Sequence, residues 1–358
     1  MKKILLTGYY GFDNIGDEAV LQEIICRLQE NADDIAISVL SNAPQKTEAD
    51  YHIRAIDRWS FPLLAKELAQ TDLLILGGGS LLQDITGSKS LFFYLLQILL
   101  AHFRHCPVFL YAQGIGPINK GFNKWLTGKI LKKCRGISVR DRESADFLQK
   151  IGLSKEKIAI TVDPVLAGSP KSDLPLGLPS GRKLALALRN WQGIDSSLAA
   201  DLADSLAKKG WQIVFLPFHE PSDRLLAEEI AGKMKEDYFL PQDILSYQSM
   251  SGLIRQMDIV IAMRLHALIM AAAAGIPFGA ISYDPKIDSF CHEMGLDPLC
   301  HTDELVDAHS LERILSAIDI LGNDLPSRRD ILSKQKLQWV EKAQANALLV
   351  REILEAKR

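Results

Sequence analysis

The sequence predicts an α/β protein built from two doubly wound, Rossmann-type domains. Its 358 residues exceed what one hydrophobic core usually fills. In both halves of the chain, short runs rich in branched apolar residues alternate with stretches of helical periodicity, a pattern typical of parallel sheets covered by helices on both faces. Between the halves this pattern dissolves into Pro, Gly and Ser, which indicates an interdomain linker.

Six apolar runs in the first half are interpreted as strands. In chain order they read KILLTGY, IAISVLS, LLILGGG, PVFLYAQG, GISVRD and IAITVDP. The last run is followed by PVLAGSPKSDLPLGLPSGR, where no periodicity remains. We therefore expect a first domain over residues 1–165 and a linker over residues 166–182.

A second series of strands is predicted by the runs KLALALR, WQIVFLPF, DIVIAM and PFGAISY. It predicts a second domain over residues 183–326 that faces the first across a cleft. Residues 327–358 are polar, with apolar residues at helical spacing, and predict one long helix. At 1.5 Å per residue this helix extends about 40 Å, which is long enough to cross back to the first domain.

The cysteines and the N-terminus favour a reduced, cytoplasmic protein. The five cysteines are scattered and include no C-x-x-C pair, which argues against a disulfide framework and against a zinc site. The apolar run after Lys2 and Lys3 is too short for a signal peptide. The run LFFYLLQILLAHF, residues 91–103, is too short to span a bilayer and contains Gln97, so we expect a buried helix there.

The charge is unevenly distributed along the chain. The net charge is −3, yet between Asp84 and Asp141 there are nine Lys and Arg residues and no acidic residue. Such a block attracts an anionic partner. Within it, residues 120–135 combine Phe122 and Trp125 with six basic residues, which fits either a helix lying on an anionic membrane surface or a solvated helix face. Nucleic-acid binding is disfavoured, because aromatic stacking platforms do not recur through the block.

Glycine-rich motifs follow the strands of the first domain, at the carboxyl ends where open α/β sheets bind ligands. These motifs are GYYGFDNIGDEAV, LGGGSLLQD and AQGIGPI, and none is a dinucleotide fingerprint or a phosphate loop. Asp17 and Glu18 begin a helix, where they either complement its dipole or serve the chemistry. The glycines either form sharp turns or bring backbone N–H groups close to a ligand. The acceptor-site candidates are Gly11, Asn14, Gly78, Gly79 and Ser80.

Cationic side chains also fall at predicted strand ends. Arg140 follows the strand in ISVRDRESADFL, Arg189 follows the strand in LALRNW, and His219 lies beyond the strand in FLPFHEPSD. Arginine and histidine are common on surfaces, but the strand-end position favours a ligand-binding role. These three residues are therefore candidates for binding an anion.

The segment IAMRLHALIMAAAAGIPF, residues 261–278, carries the strongest signal. A buried strand runs to Met263, and Arg264 and His266 follow at the start of a helix whose interior is small and apolar. The N–H groups of a helix start already favour anions. The pairing of Arg264 with His266, followed by SYDPK with Lys286 at the next strand end, favours an anion site over a structural role for the histidine.

Together these motifs resemble those of the polysaccharide pyruvyl transferases, most closely the CsaB type that acts on precursors of secondary cell wall polymers. The matching motifs are GxxNxGDE, LGGGSLLQD, GIGP, SVRDxxS, LRNW, PFHxxxD and MRLHALIMAAAAGIPFGAISYDPK, in this order from Gly11 to Lys286. The resemblance implies a GT-B-like fold, with the first domain on the acceptor side and the second binding the donor. It implies phosphoenolpyruvate as co-substrate and a lipid-linked disaccharide as acceptor, whose N-acetylmannosamine unit receives a 4,6-linked pyruvate ketal.

The resemblance also implies roles for single residues. His266 matches the essential histidine of the family, and Arg264 and Arg140 match its donor-binding arginines. Further donor-site candidates are Arg189, His219 and Lys286.

Ketal formation needs a proton donor, and a histidine titrates nearest neutral pH, so His266 is expected to be the general acid. Asp17 or Glu18 would then deprotonate the sugar hydroxyl. We expect no cofactor and no metal, because arginines can neutralise the donor.

Two other functions fit the same pattern. One is a GT-B glycosyltransferase that uses a nucleotide-sugar donor. The other is a two-domain ligand-binding module without catalysis, which would need no proton donor.

The basic block gives a lipid-linked acceptor a place at the membrane, so we expect a cytoplasmic protein with peripheral contact to the inner membrane surface through residues 120–135.

Overall fold

The computed structural model describes residues 1–32, 34–85, 87–168, 170, 177–191, 195–305 and 307–356, which form two compact units. The first unit comprises Met1–Asp13, Asp17–Ala167 and Trp339–Arg358. The second comprises Asn14–Gly16 and Gly168–Gln338. Residues 169 and 171–176 of the expected linker lie outside the described residues.

The first unit contains a parallel sheet of seven strands. The strands are β1 (Lys2–Thr7), β2 (Ile35–Ser41), β3 (Arg54–Asp57), β4 (Leu73–Gly77), β5 (Val108–Gln113), β6 (Gly136–Val139) and β7 (Ile158–Ile160). Their order across the sheet is β3-β2-β1-β4-β5-β6-β7, so the winding direction reverses between β1 and β4. Every residue of β4 and β5 is buried, as expected for a parallel sheet covered on both faces.

Helices connect these strands. They are α1 (Ile15–Asn31), α2 (Pro44–Tyr51), α3 (Phe61–Leu68), α4 (Ser88–Phe103), α5 (Gly121–Leu131) and α6 (Arg142–Lys150), with short 3-10 helices at Lys155–Lys157 and Pro164–Ala167. Apolar side chains of α3, α4, α5 and α6 share one core cluster with alternate residues of the strands. These four helices therefore cover the same face of the sheet.

The second unit repeats the arrangement with a six-stranded parallel sheet. Its strands are β8 (Arg182–Ala187), β9 (Trp211–Phe215), β10 (Tyr238–Phe239), β11 (Ile259–Ala262), β12 (Phe278–Ser282) and β13 (Cys300–His301), in the order β10-β9-β8-β11-β12-β13. The helices are α7 (Ser196–Lys208), α8 (Ser222–Ala231), α9 (Tyr247–Ile254), α10 (Leu265–Ala274), α11 (Pro285–Glu293) and α12 (Ala308–Asn323), with a 3-10 helix at Thr302–Glu304.

The chain closes with α13 (Leu325–Glu355), a single helix of 31 residues. Its residues up to Gln338 belong to the second unit, and those from Trp339 onward belong to the first. In the first unit, Asn346 is fully buried and its side-chain oxygen accepts hydrogen bonds from Ser138 Oγ at 2.5 Å and Thr161 Oγ1 at 3.1 Å. These bonds fix the C-terminal part of the helix to β6 and to the residue that follows β7.

The two doubly wound units confirm the predicted fold class. Each of the ten predicted strands is present, whereas β3, β10 and β13 were not predicted. Their sequences are RAID, YF and CH, none of which contains a run of branched apolar residues that would indicate a strand.

The expectation of a buried helix at residues 91–103 is wrong in part. One face of α4 lies in the core, but the side chains of Phe92, Leu96, Leu99 and Phe103 are exposed. A continuous apolar run has no polar face, so the sequence did not distinguish a helix buried all round from one with an uncovered side. Among the described residues, no helix is both long and apolar enough to cross a membrane.

Candidate active site

In the first unit, the first turn of α1 contributes two acidic residues, Asp17 and Glu18, near the carboxyl edge of the sheet. The carboxylate of Glu18 accepts hydrogen bonds from Tyr51 Oη at 2.6 Å and from the backbone N–H of Gly11 at 2.8 Å. Burial raises the pKa of Glu18, against the opposing effect of these two donors. The carboxylate of Glu18 is therefore more basic than a solvated one, and it also fixes the turn at Gly11.

Asp17 lies beside the glycine turn that follows β4. A Cβ atom on Gly79 would lie 3.1 Å from Oδ1 of Asp17, so the absence of a side chain there lets the carboxylate approach the backbone. Gly79 and its neighbour Gly78 both have positive φ, at 69° and 53°, which a side chain would strain. A Cβ on Gly78 would also lie 2.1 Å from the side chain of Val20. Gly78 is thus required by packing, whereas Gly79 adjoins a candidate catalytic carboxylate.

Arg140, at the end of β6, is buried and paired within the first unit. Its Nη1 donates to Asp163 Oδ2 at 2.8 Å, its Nε lies 3.7 Å from Asp141, and its Nη2 donates to Ser80 Oγ at 3.2 Å. A buried guanidinium requires such compensation, because an unpaired charge in the interior is costly. The structure therefore joins Arg140 and Ser80, two site residues predicted separately, and gives the arginine an acidic counter-ion.

A cluster of aromatic side chains surrounds Arg58 at the carboxyl ends of β1 and β3. The buried guanidinium of Arg58 donates to the carbonyl of Gly8 at 2.9 Å and to the hydroxyl of Tyr94 at 3.1 Å. Five rings lie between 4.7 and 6.0 Å from its carbon; they belong to Tyr9, Phe12, Trp59, Phe93 and Tyr94. We call this group the Arg58 cluster.

Part of the Arg58 cluster faces solvent. The rings of Tyr9 and Phe12 are stacked at 4.1 Å, and the side chain of Trp59 is 56% exposed with its Nε1 donating to Asn42. Burial and the nearby Asp17 raise the pKa of Tyr9. The cluster therefore presents rigid aromatic surface close to a candidate catalytic carboxylate, which suits an uncharged ring with polar substituents.

In the second unit, the buried carboxylate of Asp223 organises the edge of the sheet. Its Oδ2 accepts from the backbone N–H groups of Phe218 and His219 and from Nε of Arg264, and its Oδ1 accepts from Nη2 of Arg264. A two-point contact fixes the plane of the guanidinium. Arg264 and His219, predicted from separate motifs, are thus held together by one acid.

His219 is further fixed by its own loop. Its Nδ1 lies 3.0 Å from Ser222 Oγ, and its backbone forms a bridge with Asn14. The side chain of Asn14 accepts from the backbone N–H of Gly16 at 3.1 Å. Asn14 therefore lies with His219 in the second unit, and the glycines expected to share the acceptor site with it lie in the first.

His266 is the second residue of α10, which begins at Leu265 after the extended residue Arg264. Its imidazole packs against Gly16, where an added Cβ would be only 2.2 Å from Nδ1. Since real Cβ atoms do not approach this closely, glycine is needed at position 16 for the ring to occupy its place. Gly16, which lies in the motif GYYGFDNIGDEAV, thus provides the space that the imidazole of His266 occupies.

Arg189, at the end of β8, differs from the other two arginines in its surroundings. Its Nη1 donates to the hydroxyl of Tyr283 at 2.6 Å, and its guanidinium carbon lies 4.8 and 5.0 Å from the rings of Tyr283 and Trp191. Within the described ranges, no carboxylate pairs with Arg189, and its Nε is buried without a hydrogen-bond partner. Its positive charge is therefore not neutralised by an acid of the described chain.

Lys286 follows β12 in the first turn of α11. Its backbone N–H is capped by Asp284, and its Nζ lies 3.1 Å from Asp284 Oδ2. The ammonium group is partly exposed and shares its charge with that acid. Lys286 thus lies on the same sheet edge as Arg189 and Arg264, because β8, β11 and β12 are adjacent and parallel.

The structure brings the candidates together in two sets. In the second unit, Asn14, Arg189, His219, Arg264, His266 and Lys286 lie at the carboxyl edge of one sheet. In the first unit, Gly11, Asp17, Glu18, Gly78, Gly79, Ser80 and Arg140 lie at the carboxyl edge of the other. Within the parts of the chain described here, no group of three or more His, Cys, Asp or Glu side chains is arranged to hold a metal ion.

Several residues of these edges were missed from sequence. Asp163 and Tyr283 lie inside quoted motifs, IAITVDP and SYDPK, but no spacing rule connects them with Arg140 and Arg189. Arg58 and Trp59 follow β3, which has four residues and was not predicted, so their strand-end position was hidden. The spacing of three residues between His219 and Asp223 was the one signal that could have indicated the acid of Arg264.

Comparison with known proteins gives a family and a fold. The model of the polysaccharide pyruvyl transferase family matches residues 14–285. No curated protein sequence matches. The range that matches begins at Asn14 and ends at Pro285 within the SYDPK motif, one residue before Lys286.

Solved structures with a similar fold have very different sequences. MnaA from S. aureus, solved with UDP, is 12% identical with a TM-score of 0.65, covering 100% of this chain and 99% of its own. The UDP-GlcNAc 2-epimerase from Neisseria meningitidis, solved with UDP-GlcNAc, is 13% identical with a TM-score of 0.63 and full coverage of both chains. A Listeria monocytogenes protein described as a UDP-N-acetylglucosamine 2-epimerase is 11% identical with a TM-score of 0.69, covering 100% of this chain and 98% of its own. These similarities confirm the two-domain, GT-B-like fold.

Proposed function

Because the chain belongs to the polysaccharide pyruvyl transferase family, we propose that it transfers the pyruvyl group of phosphoenolpyruvate to a saccharide and releases phosphate. We propose as acceptor an N-acetylmannosamine unit of a lipid-linked cell wall polymer precursor, which receives a 4,6-ketal. The observation that carries the proposal is the cationic edge of the second sheet, where Arg189, Arg264 and His266 follow adjacent parallel strands.

The donor is a small phosphorylated acid with up to three negative charges, so its site needs fixed cations. Arg189 is the strongest candidate, because its described polar partner is the neutral hydroxyl of Tyr283. Arg264 is already paired with Asp223, so it supplies hydrogen-bond donors in a fixed orientation and little net charge. Lys286 and His219 complete the proposed donor site.

Arg140 is also a proposed phosphoenolpyruvate-binding residue, but it contributes little positive charge. Its charge is compensated by Asp163 and Asp141, and its Nη2 donates to Ser80. We propose that it contributes a hydrogen-bond donor and holds Ser80, while Arg189 supplies the uncompensated charge.

The reaction begins with protonation of the methylene carbon of the enol phosphate, for which we propose His266 as the general acid. The cation formed at the carbon that bears phosphate is attacked by one sugar hydroxyl, whose proton passes to Asp17 or Glu18. The C–O bond to phosphate then breaks, and the second hydroxyl closes the ketal as its proton is lost. A positioned acid contributes about 10² to 10⁴ to the rate.

Glu18 and Asp17 are not equivalent as bases. Glu18 is engaged by Tyr51 and Gly11, and burial raises its pKa, which suits a base that works near neutral pH. Asp17 lies beside Gly79, and its charge helps to raise the pKa of Tyr9. We propose that the base is one of these two carboxylates.

The acceptor saccharide is proposed to bind the first unit. Gly11, Gly79 and Ser80 offer polar groups there, and Asn14 of the second unit is the remaining acceptor candidate. The exposed aromatic faces of the Arg58 cluster supply the apolar surface on which a sugar ring packs. We further propose a cytoplasmic location, with residues 120–135 in contact with the membrane that carries the acceptor.

A second candidate is a GT-B glycosyltransferase with a nucleotide-sugar donor. The solved structures of MnaA and of the Neisseria meningitidis epimerase contain UDP and UDP-GlcNAc, which favours this alternative. The two donors differ in what they need: phosphoenolpyruvate needs compact positive charge, whereas a nucleotide also needs a pocket for its base.

One experiment separates the two candidates. The purified chain is heated with phosphoenolpyruvate, UDP or UDP-GlcNAc, because a ligand that binds the folded state raises the unfolding temperature. It is then incubated with phosphoenolpyruvate and a synthetic lipid-like aminosugar disaccharide, and released phosphate and the mass of the ketal product are measured. We expect stabilisation by phosphoenolpyruvate and formation of both products. Stabilisation by UDP alone, with no phosphate released, would refute the proposal in favour of the nucleotide-sugar enzyme.

A further inference from the structure

Helix α4 carries an apolar stripe that the fold leaves uncovered. Phe92, Leu96, Leu99 and Phe103 are 40%, 48%, 42% and 77% exposed. They are spaced by four, three and four residues, so they share one face of the helix and extend over roughly 16 Å at 1.5 Å per residue. The opposite face, with Leu91, Leu95 and Ile98, already supplies the core. Four large exposed apolar side chains in one row exceed the scattered exposure that is normal on a protein surface.

Helix α5 extends this stripe sideways. At the helix starts, Ser88 Oγ accepts hydrogen bonds from Lys120 Nζ at 3.1 Å and Asn123 Nδ2 at 3.0 Å. At the helix ends, His102 hydrogen-bonds to the backbone of Ile130. The two helices therefore lie side by side on the same face of the sheet, with their outer faces directed away from it.

The outer face of α5 is also aromatic. Phe122 and Trp125 are 63% and 56% exposed, and their ring centroids are 5.8 Å apart. The ammonium group of Lys129 lies 5.0 Å from the ring of Trp125. We define the α4/α5 surface by its exposed apolar side chains, which are Phe92, Leu96, Leu99, Phe103, Phe122 and Trp125.

The charged residues of α4, of α5 and of the segments that flank them in the sequence have one sign. From residue 85 to residue 140 the sequence contains no Asp or Glu. The exposed cations at the two helices and just beyond their ends are Lys89, Arg104, Lys120, Lys129, Lys132, Lys133 and Arg135. An apolar stripe bordered by cations, with tryptophan at the boundary, matches the layered chemistry of a bilayer surface that contains anionic lipid.

We propose that the α4/α5 surface docks on an anionic lipid bilayer, with the stripe of α4 inserted at the boundary between headgroups and acyl chains. A second copy of the chain is a poorer occupant, because a symmetric pair would place the cations of one copy against those of the other. The apolar contact with the bilayer then lies on α4, in addition to the contact proposed for residues 120–135. This inference rests on the proposed function, because docking on the bilayer would bring the chain to the membrane that carries the lipid-linked acceptor. Vesicle binding itself does not require catalysis.

The test is cosedimentation of the full-length chain with vesicles, without phosphoenolpyruvate. We expect at least about ten-fold more chain bound to vesicles of phosphatidylcholine with phosphatidylglycerol than to phosphatidylcholine alone, with binding reduced by salt. The double variant Leu96→Gln and Leu99→Gln should lose most of the binding, while glutamine preserves the helix. A matched control, Leu337→Gln with Leu348→Gln, removes two exposed leucines of α13 and should bind like the unchanged chain.

Three results would overturn the inference. The first is equal binding to both kinds of vesicle, and the second is binding that the α4 double variant leaves unchanged. The third is self-association in sedimentation velocity that the α4 double variant abolishes, since the stripe would then be an interface between copies. Thermal stabilisation of the same variants by phosphoenolpyruvate is measured in parallel, so that failure of the membrane inference is distinguished from failure of the proposed function.

Discussion

The carboxyl edges of the two sheets carry similar residues with opposite electrostatic outcomes. In the first unit, Arg140 follows β6 and is buried against Asp163, with Asp141 nearby. In the second, Arg189 follows β8 and contacts a phenol and an indole. Both are arginines at the end of a parallel strand, yet only the charge of Arg140 is cancelled by acids among the residues that the structure describes.

The contrast teaches that the counter-ion, more than the strand-end position, decides which arginine attracts an anionic ligand. Arg264 is an intermediate case, because Asp223 fixes its orientation while cancelling most of its charge. A site built in this way uses paired arginines for geometry and an unpaired one for attraction.

The largest effect is expected at His266, which lies at the carboxyl edge of the sheet of the second unit. His266→Ala removes the proposed proton donor, so kcat for phosphate release should fall by about 10² to 10⁴. Since the imidazole is only partly buried, the unfolding temperature should change little. Steady-state kinetics with phosphoenolpyruvate and the disaccharide measure the effect. Turnover close to that of the unchanged enzyme would remove His266 from the mechanism.

Gly16→Ala should displace the same imidazole without removing it. The new Cβ would lie 2.2 Å from Nδ1, so the ring must move, and a displacement of about 1 Å can cost about 10²-fold in rate. Gly121→Ala is the matched control, because nothing lies within 4 Å of a Cβ at that position. We expect the control to retain full kcat, and equal activity of both variants would show that the ring position is not critical.

At the carboxyl edge of the first unit's sheet, the main effect of a substitution is expected on the free energy of unfolding. Asp163→Asn removes the carboxylate that lies 2.8 Å from the buried guanidinium of Arg140 and leaves Asp141 at 3.7 Å, which should lower the free energy of unfolding by about 3 kcal/mol. The control is Asp319→Asn, which breaks a half-exposed pair with Lys209 and should cost less than about 1 kcal/mol. Urea unfolding measures both. If Asp163→Asn left stability unchanged but abolished stabilisation by phosphoenolpyruvate, Arg140 would be a donor-binding residue of the same rank as Arg189.

Arg189→Met tests the uncompensated charge directly. Loss of a charged hydrogen-bond donor costs about 1.5 to 3 kcal/mol, so KM for phosphoenolpyruvate should rise by roughly 10- to 100-fold. Arg182→Met is a matched control, because Arg182 begins the same strand at its opposite end and stacks on Trp211 at 4.0 Å. The control should leave KM unchanged. An equal rise in both variants would indicate general electrostatic attraction instead of a site at the carboxyl edge.

The sequence predicted the strands and the carboxyl edges of the sheets better than the side chains with which the arginines at those edges pair. Alternation of apolar runs was sufficient for ten strands and therefore for the strand ends at which Arg140, Arg189 and Arg264 lie. These arginines pair with Asp163, Tyr283 and Asp223, which lie 23, 94 and 41 positions away in the sequence, respectively. No local sequence pattern predicts contacts over such separations. The packing of His266 on Gly16 is longer-range still. Burial of a charge against its counter-ion is decided by the tertiary fold, which periodicity does not encode.

The smallest effect is expected at the Arg58 cluster. This part of the carboxyl edge of the first unit's sheet exposes aromatic rings instead of charged groups. Trp59→Ala removes an exposed ring, and one aromatic contact contributes about 0.5 to 1.5 kcal/mol, so KM for the disaccharide should rise by roughly 2- to 10-fold. KM for phosphoenolpyruvate should stay the same, since Trp59 lies in the first unit. Tyr238→Ala, which removes a comparably exposed ring from the second unit, is the control and should change neither constant. A rise in KM for phosphoenolpyruvate alone would assign the cluster to the donor and reverse the division of labour proposed for the two edges.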